Sequence, residues 1–563
     1  MRSIRRAWIS LTTATLAIGL VGAPAFQALA GPAQPGRAVK PAPVTVRAAL
    51  HHDLSPPLRD MRVIRPPRGE AFVPRRGQPP VRAPHRSDGQ RPAGSAAPVA
   101  PVAPGIVPPV TTSFEGLANV DGVYPPDTQG DVGPNHYVQW INTSFAVLDK
   151  TGTMLFGPAE GDTLWQGFGG VCERNNQGDP ITLYDPLADR WVMSQFGFNV
   201  DLRGNELPPF VECVAVSQTP DPTGAWFRYD FQVSGVLFDD YPKMGVWPDG
   251  YYLTFNMIRP HTGQFVGVEV MALDRTNMLQ GLDADSESVA MWRAFPQQDL
   301  FGVMPSDLDG ATPPAVGSPN YILALQDRSL VRHAFRDRLE IFQFHADFAH
   351  PLQAGVTGPA KLKTDPFDAN MCDGSFNCIP QPGTNRKLDA ITIDQLMFRA
   401  AYRNFTDHES IVVNATVDVD GHDHAGIRWF EIRSPQSHPV LFQEGTWAPD
   451  GAHRWMGSIA MDKAGDIALG YSVSSKRLVP SIRYTGRTPL DPPGTMEAEQ
   501  TLQAGGGSQT GTSRWGDYSA MSVDPSDDCT FWYQAEYMAR RSPAAWHTRI
   551  GSFVFPECLI PVP

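Results

Sequence analysis

The sequence is poor in cysteine, in basic residues and in long apolar runs. It has 6 Cys among 563 residues, and 46 Lys and Arg against 59 Asp and Glu. After residue 30, no stretch approaches the roughly 18 consecutive apolar residues that a membrane-spanning helix requires. The sequence also lacks a G-x-S-x-G turn and a phosphate-binding glycine loop. These absences argue against a membrane span in the mature chain, and against nucleophilic serine or nucleotide chemistry.

The one long apolar run follows a basic start within residues 1–30. Arg5 and Arg6 precede the run, and Ala28 and Ala30 are the small residues expected at positions −3 and −1 of a cleavage site. We interpret 1–30 as a cleavable export signal. We therefore expect a secreted, extracellular protein, with the periplasm and the cell surface as alternative destinations.

Residues 31–110 differ in composition from the rest of the chain. They contain 18 Pro, and 12 Lys and Arg against 4 Asp and Glu. A segment of this composition buries too little apolar surface to offset the entropy that it loses on ordering. We predict a disordered linker or propeptide over 31–110, followed by one folded domain over 111–563.

The folded domain is strongly acidic. Residues 111–563 carry 31 Lys and Arg against 55 Asp and Glu, a formal charge of −24. Phosphate binding depends on neutralisation by Lys and Arg, so this charge argues against nucleic acid as a partner. It is compatible with glycans, cationic ligands or bound calcium. We expect a monomer that meets an extracellular polysaccharide or another glycan, with calcium as the one candidate cofactor.

The six cysteines fall into three pairs along the sequence. In an exported chain an even number of cysteines indicates disulfides, although spacing alone does not prove the connectivity. We predict three structural bridges, with the last one fastening the final repeat of the domain. The pairs are Cys172 with Cys213, Cys372 with Cys378, and Cys529 with Cys558.

One sequence plan recurs along the folded domain. Each copy has a short apolar run, a turn rich in Asp, Pro and Gly, and a second run rich in aromatic and β-branched residues. Copies lie at 178–196, 240–257, 454–472 and 514–534, with looser ones at 129–149, after Asp307 and at 388–405.

Each copy is interpreted as the inner hairpin of a four-stranded antiparallel blade. The predicted fold class is all-β: a single β-propeller of seven blades, with six or eight blades as alternatives. Two packed β-sandwich domains are another architecture, but they do not explain one motif that recurs from 129 to 534.

Most copies carry an Asp near the start of the first run, where the residues of a propeller surround its central channel. Converging carboxylates can hydrolyse a glycosidic bond, because burial and mutual repulsion separate their pKa values. Alternatively, they can bind calcium, or accept hydrogen bonds from the N–H groups of turns. The residues are Asp131, Asp179, Asp240, Asp307, Asp389 and Asp517.

Residues that occur in only some copies are the better guide to a site. Arg454-Trp455 and Arg514-Trp515 each place a guanidinium beside an indole, which suggests a clamp for hydroxyl or carboxylate groups next to a sugar-stacking platform. Surface ion pairs and packing anchors are the structural alternatives. The predicted catalytic residues are Asp131, Asp179, Asp240, Asp389, Asp517 and Tyr518. The predicted substrate-binding residues are Arg454, Trp455, Arg514, Trp515, His408 and Glu409.

Several strings in the domain resemble a known family. "PPDTQGDVGPNHYVQWIN", "YRNFTDHESIVVN", "RWMGSIAMDKAGDIALGYSVSS" and "RWGDYSAMSVDPSDDCTFWY" resemble a family of exported bacterial β-propeller proteins. More distantly, the repeat is similar to the sialidase-like (BNR) superfamily, whose enzymes use three arginines, a tyrosine and acidic residues. That likeness implies Arg454, Arg483, Arg514 and Tyr518 as counterparts, although the blade-turn motif is only partly present.

The function expected from the sequence is action on extracellular glycans. The leading hypothesis is a glycoside hydrolase with its carboxylates at the mouth of the channel. The alternative is an extracellular binding or matrix protein without enzymatic activity. A variant of this alternative is a protein whose fold is stabilised by bound calcium.

Overall fold

The computed structural model describes residues 44–65, 98–202, 204–282, 289–294, 300–330, 336–350, 353–372, 376–390 and 395–560. The predicted export signal lies outside the described residues, as does much of the predicted linker. All described residues belong to one compact unit, Pro32–Pro563.

The predicted all-β fold is confirmed, because nearly every regular element is a strand in a mainly antiparallel sheet. The N-terminal strands are β1 (Thr45–Arg47), β2 (His51–Leu54), β3 (Val102–Ile106) and β4 (Thr112–Ala118). The next eight are β5 (Gln129–Val132), β6 (His136–Ile141), β7 (Ser144–Asp149), β8 (Met154–Glu160), β9 (Ile181–Asp185), β10 (Arg190–Val200), β11 (Glu206–Ser217) and β12 (Trp226–Ser234).

The middle of the chain continues the pattern. Its strands are β13 (Phe238–Val246), β14 (Gly250–Arg259), β15 (Gln264–Asp274), β16 (Val289–Ala294), β17 (Met304–Leu308), β18 (Asn320–Gln326), β19 (Arg338–His345), β20 (Gly355–Lys363), β21 (Asn377–Ile379) and β22 (Leu388–Asp389). Among the described residues, two short α-helices accompany the strands, α1 (Gly170–Arg174) and α2 (Arg275–Met278).

Twelve more strands are described in the last third of the chain, from residue 395 to 560. These are β23 (Met397–Asn404), β24 (Glu409–Asp418), β25 (Ala425–Arg433), β26 (Val440–Trp447), β27 (His453–Met461), β28 (Ile467–Ser474), β29 (Ser481–Arg487), β30 (Met496–Ala498), β31 (Gln500–Gln503), β32 (Ala520–Val523), β33 (Phe531–Tyr537) and β34 (His547–Phe553). In the part of the chain that is described, no helix is long and apolar enough to cross a membrane.

Seven four-stranded antiparallel arrays follow one another along the described chain. They begin with β5, β9, β13, β17, β23, β27 and β32. These first strands contact one another in a closed circle, with β32 returning to β5, which is the propeller arrangement. Because β17 and β23 pair in parallel, two arrays form one eight-stranded sheet. The number of separate blades therefore stays a prediction.

The first strands explain why the sequence repeats have nearly continuous apolar runs. Every residue of β9 and of β17 is buried, because each of these strands lies between neighbouring arrays and the channel. The turns that follow are fixed by aspartates. Asp185 accepts hydrogen bonds from the backbone N–H groups of Leu187 and Ala188, and Asp462 does the same for Ala464.

The ring is closed by strands from the two ends of the domain. The last array combines β32, β33 and β34 with β4, which pairs antiparallel with β34. All three predicted disulfides are confirmed: Cys172–Cys213, Cys372–Cys378 and Cys529–Cys558. The third connects the β32–β33 turn to the segment after β34.

The described part of the predicted linker 31–110 differs from expectation, because it adds strands to the propeller. Strand β2 pairs with β12, and β1 pairs with β16. Arg228, almost fully buried, donates two hydrogen bonds to Asp53, at 2.7 and 2.6 Å. Residues around β2 therefore bind by strand addition and by a bidentate ion pair, which composition alone does not reveal.

Candidate active site

Aspartates from several arrays converge where the first strands begin. Asp127, Asp179 and Asp517 lie just before β5, β9 and β32, and all three have left-handed backbone angles, with φ of 45°, 44° and 63°. Such conformations are strained for a residue with a side chain, and they concentrate at functional sites. The turns at this end of the strands therefore hold their carboxyl groups in a fixed arrangement.

Strand β13 contributes the other acidic residue and a lysine. Its pairing with β14 is interrupted between Asp240 and Lys243, and Tyr241 within the interruption has a φ of 57°. An irregularity of this kind redirects side chains. The Lys243 ammonium lies 2.9 Å from the ring centroid of Tyr241 and 4.3 Å from that of Tyr518, and it is almost fully buried. These are cation–π contacts in an acidic environment.

Hydrogen bonds connect the arrays across this cluster. The hydroxyl of Tyr241 donates to the carbonyl oxygen of Asp517 at 2.7 Å, and the N–H of Asp127 donates to the carbonyl oxygen of Gly516 at 3.1 Å. The hydroxyl of Tyr518 lies 3.3 Å from a carboxylate oxygen of Asp179. The cluster is therefore held by the first, second, third and last arrays together.

Arg514 forms the cationic edge of the cluster. It donates a hydrogen bond to Asp517, and its guanidinium lies 4.0 Å from a carboxylate oxygen of Asp389. Asp127, Tyr518 and Lys243 are buried, whereas Asp179, Asp240 and Arg514 are partly exposed. The cluster thus reaches solvent through two aspartates and one arginine.

Burial and like charges perturb the titration of these groups. Burial, followed by repulsion from Asp240 and Asp517, raises the pKa of Asp179 to about 8. Burial also raises the pKa of Asp127 well above its usual value, and lowers the pKa of Lys243 well below its usual value. A carboxyl group that keeps its proton near neutral pH can act as a general acid.

Asp131 and Asp307 are not part of this cluster. The Asp131 carboxylate accepts a hydrogen bond from the N–H of Tyr184 at 2.8 Å, and burial raises its pKa to about 7. Asp307 is paired with Arg399 at 2.6 Å, and Arg399 also pairs with Asp309. The prediction that Asp131 joins the site is therefore not supported by its position, because it belongs to a separate buried network around Arg399.

The predicted sugar-stacking platform is wrong for this conformation. Trp455 and Trp515 are fully buried, and their rings pack against each other with centroids 6.0 Å apart. Arg454 is also fully buried, where it donates two hydrogen bonds to Glu499, at 2.9 and 2.8 Å. These three side chains are therefore engaged inside the protein, and the indoles present no face to solvent.

His408 and Glu409 lie at the other end of the first strands. They follow the end of β23, whereas the aspartate cluster precedes the first strands. His408 stacks on Phe405 with ring centroids 4.7 Å apart, and Glu409 accepts a hydrogen bond from the Tyr402 hydroxyl at 2.6 Å. The structure therefore does not bring these two residues to the aspartates.

Metal coordination was the alternative explanation for the acidic residues. Among the described residues, the group that could present three ligand atoms within 4.8 Å of one another is Asp462, Cys529 and Cys558. The two cysteines are joined in a disulfide and cannot act as thiolate ligands. The aspartate cluster does not meet this distance criterion, so calcium stays a prediction without geometric support.

Two members of the cluster were missed by sequence reasoning. In the structure, Asp127 is the equivalent of Asp179, because each lies two residues before a first strand, β5 or β9. In the sequence, however, both Asp131 and Asp179 follow a glycine, and this shared "GD" pair made Asp131 look like the equivalent residue. Lys243 is the one charged side chain in "YPKMGVW". A single lysine among the apolar and aromatic residues in the second half of β13 was the available signal.

Fold and site together define a β-propeller with an acidic, lysine-containing cluster at one end of its central ring. No family model matches the chain, and no curated protein matches it. Solved structures with similar folds include glycan-active enzymes. An ulvan lyase of polysaccharide lyase family PL25 has 12% identity and a TM-score of 0.38, covering 83% of this chain and 99% of its own.

Two further solved structures have similar folds. An α-L-arabinanase from Penicillium chrysogenum in complex with arabinobiose has 9% identity and a TM-score of 0.38, over 80% of this chain and 99% of its own. The endosialidase of phage phi92 has 7% identity and a TM-score of 0.34, over 65% of both chains. Likenesses this distant assign no activity to this protein.

Proposed function

We propose that this protein is a secreted glycoside hydrolase whose site is the aspartate cluster. The observation that carries the proposal is that Asp179, whose pKa burial raises to about 8, experiences repulsion from Asp517, which accepts a hydrogen bond from Arg514. Glycoside hydrolysis needs two carboxyl groups in different protonation states. The three disulfides fit a protein that folds in an oxidising, extracellular compartment.

The proposed chemistry assigns one role to each group. Asp179 donates its proton to the glycosidic oxygen as the bond to the anomeric carbon breaks. Asp517 removes a proton from the water that attacks that carbon, and partly exposed Arg514 binds a sugar hydroxyl at the edge of the site. Tyr518 is a positioning residue, because its hydroxyl lies 3.3 Å from a carboxylate oxygen of Asp179. Lys243 is one as well, because its buried ammonium attracts the aspartates electrostatically.

The first test is a screen of the full chain against a panel of neutral and acidic polysaccharides, with and without calcium. The proposal expects release of reducing ends from at least one polymer, without a calcium requirement. Binding without product release would instead support the extracellular binding or matrix protein. A large fall in melting temperature on chelation would support the calcium-stabilised version.

The pH dependence of hydrolysis gives a sharper prediction. Asp179 must be protonated to act as the acid, and its pKa is about 8. We therefore expect kcat/KM to be maintained below pH 8 and to fall as the pH rises through that value, because the acid is lost. Measurement of kcat/KM from pH 5 to 10 tests this. A rate that increases above pH 8 would exclude Asp179 as the acid.

A further inference from the structure

A cavity lies at the other end of the strands from the aspartate cluster. It has a volume of about 500 Å³, and its wall includes Phe405 and His408, which follow β23, and Met461 at the end of β27. The remaining wall comes from β25, β26, the turn between β27 and β28, the end of β29 and the segment after it. Its residues thus come from the arrays that begin with β23 and β27.

Two guanidinium groups in this wall have unused hydrogen-bond donors. The Arg433 guanidinium donates from Nε to Glu431 at 2.7 Å, and among the described residues it makes no other hydrogen bond. Arg487, which is 3% exposed, donates from Nη2 to the carbonyl oxygen of Asp491 at 2.7 Å, and its Nε has no partner among the described residues. A guanidinium offers five donors, so both groups retain capacity for an anion.

The two acidic residues of the wall already accept hydrogen bonds. Asp491 accepts from the N–H of Thr488 through Oδ2 at 2.8 Å. Both oxygens of Glu431 are occupied: Oε1 accepts from Ser410 and Arg433, and Oε2 accepts from Gln443 at 2.5 Å. Burial is the main cause that lowers the pKa of Arg487, and repulsion by Arg433 adds to it, whereas Glu431, Asp491 and Asp466 act in the opposite direction. A buried cation in this state favours an additional counter-charge.

The rest of the wall offers flat, apolar contact. Phe442 is 48% exposed, and Arg433 stacks on its ring at 3.4 Å from the centroid. Leu490 and three prolines extend this surface beside Arg487. The exposed aromatic ring can pack against the face of a ligand ring, and the free guanidinium donors beside it can bind a negatively charged group on the same ligand.

We propose that this cavity, defined by Arg433, Arg487 and Phe442, binds an oxyanion carried on a sugar ring. The shared chemistry is a carboxylate or a sulfate that accepts hydrogen bonds from the two guanidinium groups, while the ring packs on Phe442. The site is separate from the aspartate cluster and does not depend on that cluster being catalytic. It would retain an acidic polysaccharide on a protein whose net charge otherwise repels it.

The experiment is calorimetric titration of the full chain with matched ligand pairs. Trigalacturonic acid and its methyl ester have the same rings with and without carboxylates, and galactose 6-sulfate and galactose test the sulfate in the same way. We expect one charged ligand to bind at least about tenfold more tightly than its neutral partner, and to weaken as salt is added. The pair that shows the difference identifies the oxyanion.

The variants locate the binding. We expect Arg487→Gln and Arg433→Gln each to weaken binding of that charged ligand by about tenfold or more. Arg477→Gln, at an exposed position in the turn between β28 and β29 and away from the cavity, is the control and should bind as the unmodified protein does. Phe442→Ala removes only a half-exposed ring, so it reports on stacking even if Arg487→Gln fails to fold.

Two results would overturn the proposal. One is equal binding of the charged and neutral ligand of both pairs. The other is unchanged binding in both Arg433→Gln and Phe442→Ala. Asp517→Asn separates this site from the proposed hydrolase: it should abolish product release and leave anion binding intact, so each proposal can fail without the other.

Discussion

Replacement of Asp179 by Asn is expected to reduce kcat on a cleaved glycan by about 10²- to 10⁴-fold, the usual contribution of a general acid. Asn has nearly the same shape but cannot deliver the proton. Steady-state kinetics at pH 6 measure the effect. Asp131→Asn is the matched control, because Asp131 lies in the network around Arg399 and should leave kcat within a few-fold.

Stability gives this first prediction an independent readout. The pKa of Asp179 is about 8 in the folded protein, above its ordinary value of 3.8. Its contribution to stability is therefore complete below pH 4 and is lost as the pH rises to 8, because the folded state holds the proton more tightly. Asn carries no charge, so Asp179→Asn should be more stable than the unmodified protein at pH 8. A loss of stability there, together with a loss of activity, would indicate a structural role instead.

Replacement of Arg399 by Met is expected to destabilise the protein by about 3–5 kcal/mol, the cost of leaving a buried charge without its partner. Arg399 is 3% exposed and pairs with Asp307 at 2.6 Å and with Asp309. It also donates to the carbonyl oxygen of Met521 at 3.1 Å, which connects the fifth and last arrays. Urea unfolding at pH 8 measures the change in the free energy of unfolding.

The destabilisation by Arg399→Met should itself depend on pH. In the unmodified protein, burial raises the pKa of Asp307 to about 6 and that of Asp131 to about 7, even though Arg399 opposes both shifts. Without Arg399 these carboxyl groups hold their protons more tightly, so at pH 5 they are neutral and the loss is smaller. An equal loss at pH 5 and pH 8 would mean that packing, and not charge, is responsible. Arg477→Met, at an exposed position, provides the surface control.

The propeller could be predicted because each repeat depends on residues that are close together in the sequence. The turn after β9 shows why: Asp185 fixes it through two backbone N–H groups, and such contacts need particular residues at particular spacings. The strand pairing of His51–Leu54 was not predictable in the same way. It depends on an open edge at β12 and on Arg228, 175 residues from Asp53, and neither is visible in local composition.

The candidate site was predicted in part, for a related reason. Asp179 and Asp517 were found because they precede apolar first strands, and the structure brings them together. Trp455 and Trp515 were misassigned because an indole beside an arginine has the same sequence signature whether it meets a sugar or another indole. Lys243 was missed because its role appears only when four aspartates from separate arrays surround it.

The closure of the ring by β4 and β34 also sets an order of events during synthesis. The hydroxyl of Thr548 in β34 donates a hydrogen bond to the carbonyl oxygen of Leu117 in β4, 431 residues earlier in the sequence. Strand β4 therefore cannot pair until β34 has been synthesised. Until β34 has emerged, both β4 and β33 present open edges that can pair with other chains. A chain whose synthesis stops before residue 547 is therefore nearly full length and still exposes two unpaired strand edges. Complete translation is needed to cover these edges and to prevent aggregation.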